Sequence, residues 1–107
     1  VINQQTTLFA DQVEAVFNVH PEVARTALVG IGPRTQQTPV LCVELLSNVT
    51  NHRKGRIRTD LSQIGRNNVM TRSIKQILFH KSFPVDIRHN AKIGREKLAA
   101  WAQKKLS

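Results

Sequence analysis

The spacing of apolar and polar positions predicts a short helix near the start of the chain. Its apolar residues recur at helical spacing: Ala10, Val13, Val16 and Phe17. This pattern predicts an amphipathic helix over residues 11–18. Asp11 is expected to cap the helix, and Glu14 three residues later would complete a capping box. Pro21 should end the helix, because the residue before a proline is disfavoured in the α region.

Two continuous apolar runs follow, over residues 26–31 and 39–46. Both runs are rich in β-branched residues and too short for surface helices, so they predict paired strands covered by helices on both faces. Cys42 lies within the second run, where we expect a buried and unreactive thiol. A single cysteine cannot form an internal disulfide, which is typical of a reducing compartment and leads us to expect a cytoplasmic protein.

The second half of the chain predicts two more helices and a third strand. Ile57, Leu61 and Ile64 have helical spacing, which indicates a helix over residues 56–66. After a turn, residues 73–80 have the composition of a strand. An irregular stretch then leads to a final helix from about Gly94. We expect its buried stripe to comprise Leu98, Trp101, Ala102 and Leu106. We expect its cations to face water, and these are Arg95, Lys97, Lys104 and Lys105.

These elements predict an α+β domain: a small three-stranded sheet plus an N-terminal β-hairpin over residues 1–9, flanked by about three helices. A length of 107 residues suits one domain. No stretch approaches the roughly 20 apolar residues that span a bilayer, so no transmembrane segment is predicted. Because the chain begins at Val1 rather than methionine, we expect it to be a fragment of a longer protein.

The charge is concentrated in the second half of the chain. Residues 1–50 carry two basic and four acidic side chains, whereas residues 51–107 carry 14 basic and three acidic ones. Such a basic half favours an anionic partner: nucleic acid, a membrane surface or phosphates. The basic run over residues 52–58 could bind a phosphate backbone, although a solvated loop and helix face is the favoured interpretation. No aromatic residue is interleaved with these cations, so the sequence predicts no platform for stacking single-stranded bases.

Few residues of the chain suggest chemistry of their own. The four histidines lack the spacing of metal ligands, so no metal site is predicted; they are His20, His52, His80 and His89. No nucleophile elbow, glycine-rich phosphate loop or paired-carboxylate site is present in the sequence. We therefore expect no self-contained catalytic centre.

Lys92 lies in an unusual place, directly before the final helix in the stretch "FPVDIRHNAKIGREKL", residues 83–98. A helix N-terminus already carries partial positive charge, so a cation there does not stabilise the helix. Lys92 is therefore either a solvated surface charge or a cation directed at an anion from outside this chain.

The same stretch resembles the closing motif of the adenylate-forming enzymes, written P-x-x-x-x-G-K-I-x-R-x-x-L. Residues 12–34, "QVEAVFNVHPEVARTALVGIGPR", are similar to a second segment of that superfamily, E-I-E-A-x-L-x-x-H-P-x-V-x-x-A-x-V-x-G. The matching residues of this second segment are Glu14, His20, Pro21, Val23, Ala27 and Gly30. The resemblance runs the length of the chain. The fuller match of residues 83–102 is to the ATP-dependent β-lactone synthetases of long-chain olefin biosynthesis.

The resemblance implies that residues 1–107 are the C-terminal (lid) domain of an acyl-adenylating enzyme whose large N-terminal domain is absent. It implies that Lys92 is the catalytic lysine of an AMP-forming ligase. ATP, with Mg²⁺, would be bound mainly by the absent domain, so the isolated domain should be inactive. Its partners would be that domain, a fatty-acid-type carboxylate (a β-hydroxy acid in this branch) and other enzymes of the olefin pathway.

Two departures from the superfamily pattern bear on the chemistry. Ala91 replaces the glycine before the lysine, and Gln5 replaces a glycine of the hinge-proximal loop that lets a pantetheine arm pass. A side chain at position 5 agrees with the β-lactone branch, in which the β-hydroxyl closes the ring and no CoA is needed. The alternatives are an acyl-CoA synthetase, a peptide-synthetase-type adenylation domain and, in a different class, a basic module that binds nucleic acid.

Overall fold

A computed structural model of the chain describes residues 9–33, 36–86 and 92–106. The hairpin predicted over residues 1–9 therefore lies outside the described residues, apart from Phe9. The elements in chain order are α1 (Ala10–Phe17), β1 (Val23–Ile31), β2 (Thr38–Leu45), a 3-10 turn (Asn51–Arg53), α2 (Lys54–Arg66), β3 (Gln76–Phe79), β4 (Val85–Asp86), β5 (Lys92–Ile93) and α3 (Arg95–Leu106).

The main sheet has the strand order β1-β2-β3. β1 and β2 are antiparallel, with Leu28 opposite Leu41, and β3 runs parallel to β2, with Phe79 opposite Val43. The predicted α+β class is confirmed. β3 is shorter than the predicted strand over residues 73–80, because a turn precedes it in which Ile74 N–H donates to the Thr71 carbonyl at 3.0 Å.

Helices cover both faces of this sheet, as predicted. Alternate strand residues point to opposite faces, so each strand contributes to two separate apolar clusters. On one face, α1 and α2 pack on a cluster that includes Val13, Phe17, Leu28, Leu41, Val43, Ile57 and Leu61. On the other face, α3 packs on a cluster that includes Ala27, Val29, Val40, Cys42, Phe83, Leu98 and Ala102.

Cys42 is completely buried in the second cluster. Burial raises the pKa of its thiol to about 12, because the charged thiolate is poorly solvated there. The prediction of a buried core cysteine is confirmed.

The capping box predicted for α1 is wrong. The residue before the helix is Phe9, which provides no side-chain cap. The carboxylate of Glu14 instead accepts a hydrogen bond from the Leu28 N–H at 2.7 Å, and only 8% of the residue is exposed. Glu14 lies beside Val13 on the face that packs on the sheet, so its side chain is directed away from the start of its own helix.

α2 matches the predicted helix over residues 56–66 and begins two residues earlier. α3 begins at Arg95, and Leu98 and Ala102 form its buried face as predicted, with Trp101 half-buried beside them. Leu106 was expected in that stripe but is 37% exposed in the last turn of the helix. Among the described residues, no helix is both long enough and apolar enough to cross a membrane.

Candidate functional site

Lys92 lies in a short strand rather than in the irregular stretch that the sequence predicted. β4 and β5 form a two-stranded antiparallel ribbon, with Ile93 opposite Val85 and Lys92 opposite Asp86. Strand pairing supplies hydrogen bonds that an irregular segment would lack. The backbone at Lys92 is therefore fixed by the ribbon.

Gly94 is the single residue between this ribbon and α3. Its N–H donates to the Pro84 carbonyl at 2.7 Å, and its carbonyl accepts from the Leu98 N–H at 3.0 Å. One residue thus links the strand before it to the first turn of the helix after it. The position of Lys92 follows directly from the position at which α3 begins.

The start of α3 is tied to two other elements by Arg95. Its guanidinium forms a two-pronged ion pair with Glu14 of α1: Nη1 contacts Oε2, and Nη2 donates to Oε1 at 3.0 Å. Nη1 also donates to the Leu28 carbonyl of β1 at 3.4 Å. The hydrogen bond to Glu14 raises the pKa of Arg95. The prediction that Arg95 faces water holds only in part: its side chain is 39% exposed, and its guanidinium pairs with the largely buried carboxylate of Glu14.

A second anchor lies at the other end of the motif, just before β4. Phe83 is 3% exposed and packs in the same apolar cluster as Leu98. Its N–H donates to Glu44 Oε1 at 2.7 Å, and Arg25 donates to the same oxygen at 3.1 Å while its guanidinium lies 5.3 Å from the centroid of the Phe83 ring. Both ends of the motif are therefore attached to the main sheet.

The basic run over residues 52–58 makes several contacts within the protein. Arg53 forms two hydrogen bonds with Glu22, at 2.6 and 2.5 Å, which lower the pKa of that carboxyl. Arg56 donates to Asp60 at 3.1 Å, one helical turn away. Arg58 donates to the Ile77 carbonyl and lies over the Phe79 ring. These contacts agree with the favoured interpretation that residues 52–58 form a loop and helix face on the surface. The three arginines of this run are paired with protein groups and not only solvated.

His20, to which the sequence assigned no role beyond the motif, connects the loop before β1 to α2. Its Nδ1 accepts from the Glu22 N–H at 3.1 Å, and its Nε2 lies 3.0 Å from Asp60 Oδ2. The pKa of Asp60 is lowered, mainly by its hydrogen bond with His20. Since only 7% of His20 is exposed, this bridge is part of the packing between the two elements.

Two curated proteins match most of the chain. An olefin β-lactone synthetase of Xanthomonas campestris pv. campestris is 56% identical over 95 residues, which are 89% of this chain and 17% of that protein. The chain is a homologue of olefin β-lactone synthetases. A second such synthetase, from Stenotrophomonas maltophilia, is 48% identical over 99 residues, or 92% of this chain and 18% of that protein. The chain thus spans under a fifth of the length of the curated relatives it matches. No protein-family model matches it.

Solved structures of adenylating enzymes share the fold. The amide bond synthetase McbA from Marinactinospora thermotolerans superposes with a TM-score of 0.73 at 20% identity, over 94% of this chain and 20% of the other. The anthranilate CoA ligase AuaEII, in complex with anthranoyl-AMP, gives a TM-score of 0.79 at 17% identity, over 99% of this chain and 20% of the other. These two structures show that the fold is shared with such enzymes. The resemblance to β-lactone synthetases seen in the sequence is confirmed by the identity with two of them.

The sequence proposed Lys92 as the candidate site residue but did not predict the contacts that hold the segment around it. Lys92 and Arg95 stand near the start of α3 as expected, while Glu14, Glu44 and Arg25 were not predicted to fix that region. Glu14 and Arg95 are 81 residues apart, Glu44 and Phe83 are 39 apart, and Arg25 and Glu44 are 19 apart, so no local pattern could identify these contacts. Ala91 and Gln5, the two departures from the superfamily pattern, lie outside the described residues.

Proposed function

We propose that residues 1–107 form the C-terminal domain of an ATP-dependent acyl-adenylating ligase whose larger N-terminal domain lies elsewhere in the full-length protein. The identity of 56% over 95 residues with an olefin β-lactone synthetase carries this proposal. The adenylation-enzyme fold and the share of the relatives that the chain spans both support it.

Lys92 is the catalytic residue in this proposal. Attack of a carboxylate on the α-phosphate of ATP concentrates negative charge on the transferring group and on the departing pyrophosphate. A lysine ammonium within hydrogen-bond distance, in a site closed to water, stabilises that charge more in the transition state than in the ground state. The domain would therefore contribute one cation to a nucleotide site that the N-terminal domain otherwise builds.

The supports around Lys92 agree with this role. Electrostatic stabilisation is effective when the charged group is held in place before the reaction, so that little reorganisation is required. The β4–β5 ribbon, the link through Gly94 and the Glu14–Arg95 pair hold the backbone at Lys92 and directly after it. In this proposal the lysine side chain reaches from that held backbone into the partner domain.

We propose a β-hydroxy acid as the substrate, because the relatives are named olefin β-lactone synthetases and a β-hydroxyl group is what closes a β-lactone ring. Its long chain is what the resemblance of residues 83–102 implies. The carboxylate would displace pyrophosphate from ATP to give an acyl-adenylate. The β-hydroxyl oxygen would then attack the acyl carbon, lose its proton and expel AMP, closing a four-membered lactone. In this proposal ATP and the Mg²⁺ that accompanies it are bound mainly by the N-terminal domain.

The full-length protein tests this proposal directly. With ATP, Mg²⁺ and a long-chain 3-hydroxy acid, and with CoA omitted, it should release pyrophosphate and form the β-lactone. Product that forms only after CoA is added would replace the lactone proposal with an acyl-CoA ligase. If no carboxylic acid supports pyrophosphate release, the adenylation proposal itself fails.

A further inference from the structure

A groove of about 740 Å³ lies where the ends of β2 and β3 meet the start of α2 and the second half of α3. We call it the basic groove; the residues that define it are Leu46, Lys54, Phe79, Lys81, Trp101 and Lys105. Its volume is in the range of small-molecule sites. The proposed role of Lys92 makes no use of it.

The described residues that line the basic groove include three lysines and no carboxylate. In the described part of the chain, the ion-paired acidic side chains are Glu14, Glu22, Glu44 and Asp60, and their partners are arginines or His20. Lys54, Lys81 and Lys105 form no ion pair with a described carboxylate. Three like charges around one concavity repel each other until an anion enters.

Aromatic rings hold two of these lysines at the groove wall. Lys54 Nζ lies 5.9 Å from the centroid of Phe79, and Lys105 Nζ lies 6.0 Å from that of Trp101. Cation–π contacts of this kind keep an ammonium group close to an apolar surface. The sequence showed no aromatic residue interleaved with the basic run over residues 52–58, but the fold brings Phe79 of β3 to Lys54. Trp101 and Lys105 lie one turn apart on α3. Because cations already lie over both rings, the groove favours a phosphate group over a stacked base.

The start of α2 adds to the positive potential of the groove. Asn51 and Lys54, at the beginning of this helical segment, both line it. The first turn of α2 contains no acidic residue, and Arg53 before it provides no side-chain cap. A helix N-terminus carries partial positive charge and exposed N–H donors, which an anion would complement. The start of α2 thus adds partial positive charge to that of the three lysines, and of the cations named here only Arg53 has an acidic partner, Glu22.

We propose that the basic groove binds a ligand that carries two or more phosphate groups. Lys54, Lys81 and Lys105 would contact the phosphates, and the apolar wall formed by Leu46 and Trp101 would contact any organic part of the ligand. Leu46 is 41% exposed, so this wall is accessible. The site is independent of Lys92 and of the adenylation chemistry.

Trp101 makes the proposal testable on the 107-residue chain itself, because it is the only tryptophan and lies in the groove. Its fluorescence is followed while inorganic tripolyphosphate or ADP is added at constant ionic strength. We expect a saturable change with either probe. Tighter binding of ADP would indicate an organic phosphate as the ligand, and equal or tighter binding of tripolyphosphate would indicate a free polyphosphate.

The matched variants are Lys105→Ala and Lys104→Ala, since both remove one exposed lysine from the last turn of α3 and only Lys105 lines the groove. Lys105→Ala should weaken binding by about tenfold, the usual effect of losing a charged hydrogen bond, and Lys104→Ala by less than about twofold. Equal weakening by the two variants, or no saturable change in the wild type, would overturn the proposal. So would binding of a single-stranded oligonucleotide alone, which would indicate a nucleic-acid surface instead.

Discussion

Removing the guanidinium of Arg95 should destabilise the domain far more than removing a typical surface arginine. In Arg95→Ala, the Glu14 carboxylate keeps the Leu28 N–H as a donor and loses its charged partner. Breaking a fully buried ion pair costs about 3–5 kcal/mol. Glu14 is largely buried, but the Arg95 side chain is 39% exposed, so water can replace part of the lost contact. We therefore expect a loss of about 2 kcal/mol in the free energy of unfolding.

Arg56→Ala is the matched control, because Arg56 also pairs with a carboxylate but is 76% exposed and lies one turn from Asp60 on the same helix. Exposed pairs of this kind contribute about 0.3–0.5 kcal/mol. For a domain of this size, the two variants should lower the melting temperature by roughly 10 °C and 2 °C, respectively.

Urea unfolding followed by Trp101 fluorescence measures both losses. A double-mutant cycle with Glu14→Gln should show coupling, since the double variant no longer leaves a buried charge unpaired. If Arg95→Ala loses no more stability than Arg56→Ala, the Glu14–Arg95 pair does not anchor the start of α3, and the account of how Lys92 is positioned is wrong.

Two further predictions concern the isolated chain. At pH 8 the Cys42 thiol, with its pKa raised to about 12, should react with a disulfide reagent only as fast as the protein unfolds, and prompt labelling of the native protein would show that it is accessible. The purified 107-residue chain, given ATP, Mg²⁺ and a fatty acid, should release no pyrophosphate, and release above a no-protein control would contradict its assignment as one domain of a larger enzyme.

The sequence predicted those parts of the fold that depend on local pattern. The apolar runs in β1 and β2 and the helical spacing of Ile57 and Leu61 correspond to buried faces, because burial itself produces the periodicity. The predicted capping box at Glu14 was wrong because the actual partners of Glu14 are distant in the sequence. A local hydrogen bond to its own helix competed with a distant arginine and a strand N–H, and the distant partners form the stronger charged contact.

In the candidate site, too, the sequence predicted local features and missed those that depend on tertiary packing. A motif around Lys92 was visible in sequence, but the two-residue strands β4 and β5 were not, since strands so short have no measurable alternation. The basic groove could not be predicted either. Lys54 and Phe79 are 25 positions apart, and only the packing of α2 against β3 brings them within 5.9 Å.

The central claim, that Lys92 supplies a catalytic charge, is tested most directly by ATP–pyrophosphate exchange in the full-length protein. Lys92→Ala should reduce the exchange rate by about 10²–10³-fold, mainly in kcat, with an unchanged melting temperature. Lys97→Ala, which removes an exposed lysine from the first turn of α3, should leave the rate within about twofold. Arg95→Ala should lose less activity than Lys92→Ala, with a lower melting temperature. Near-normal exchange in Lys92→Ala, or equal losses in the Lys92 and Lys97 variants, would contradict the account.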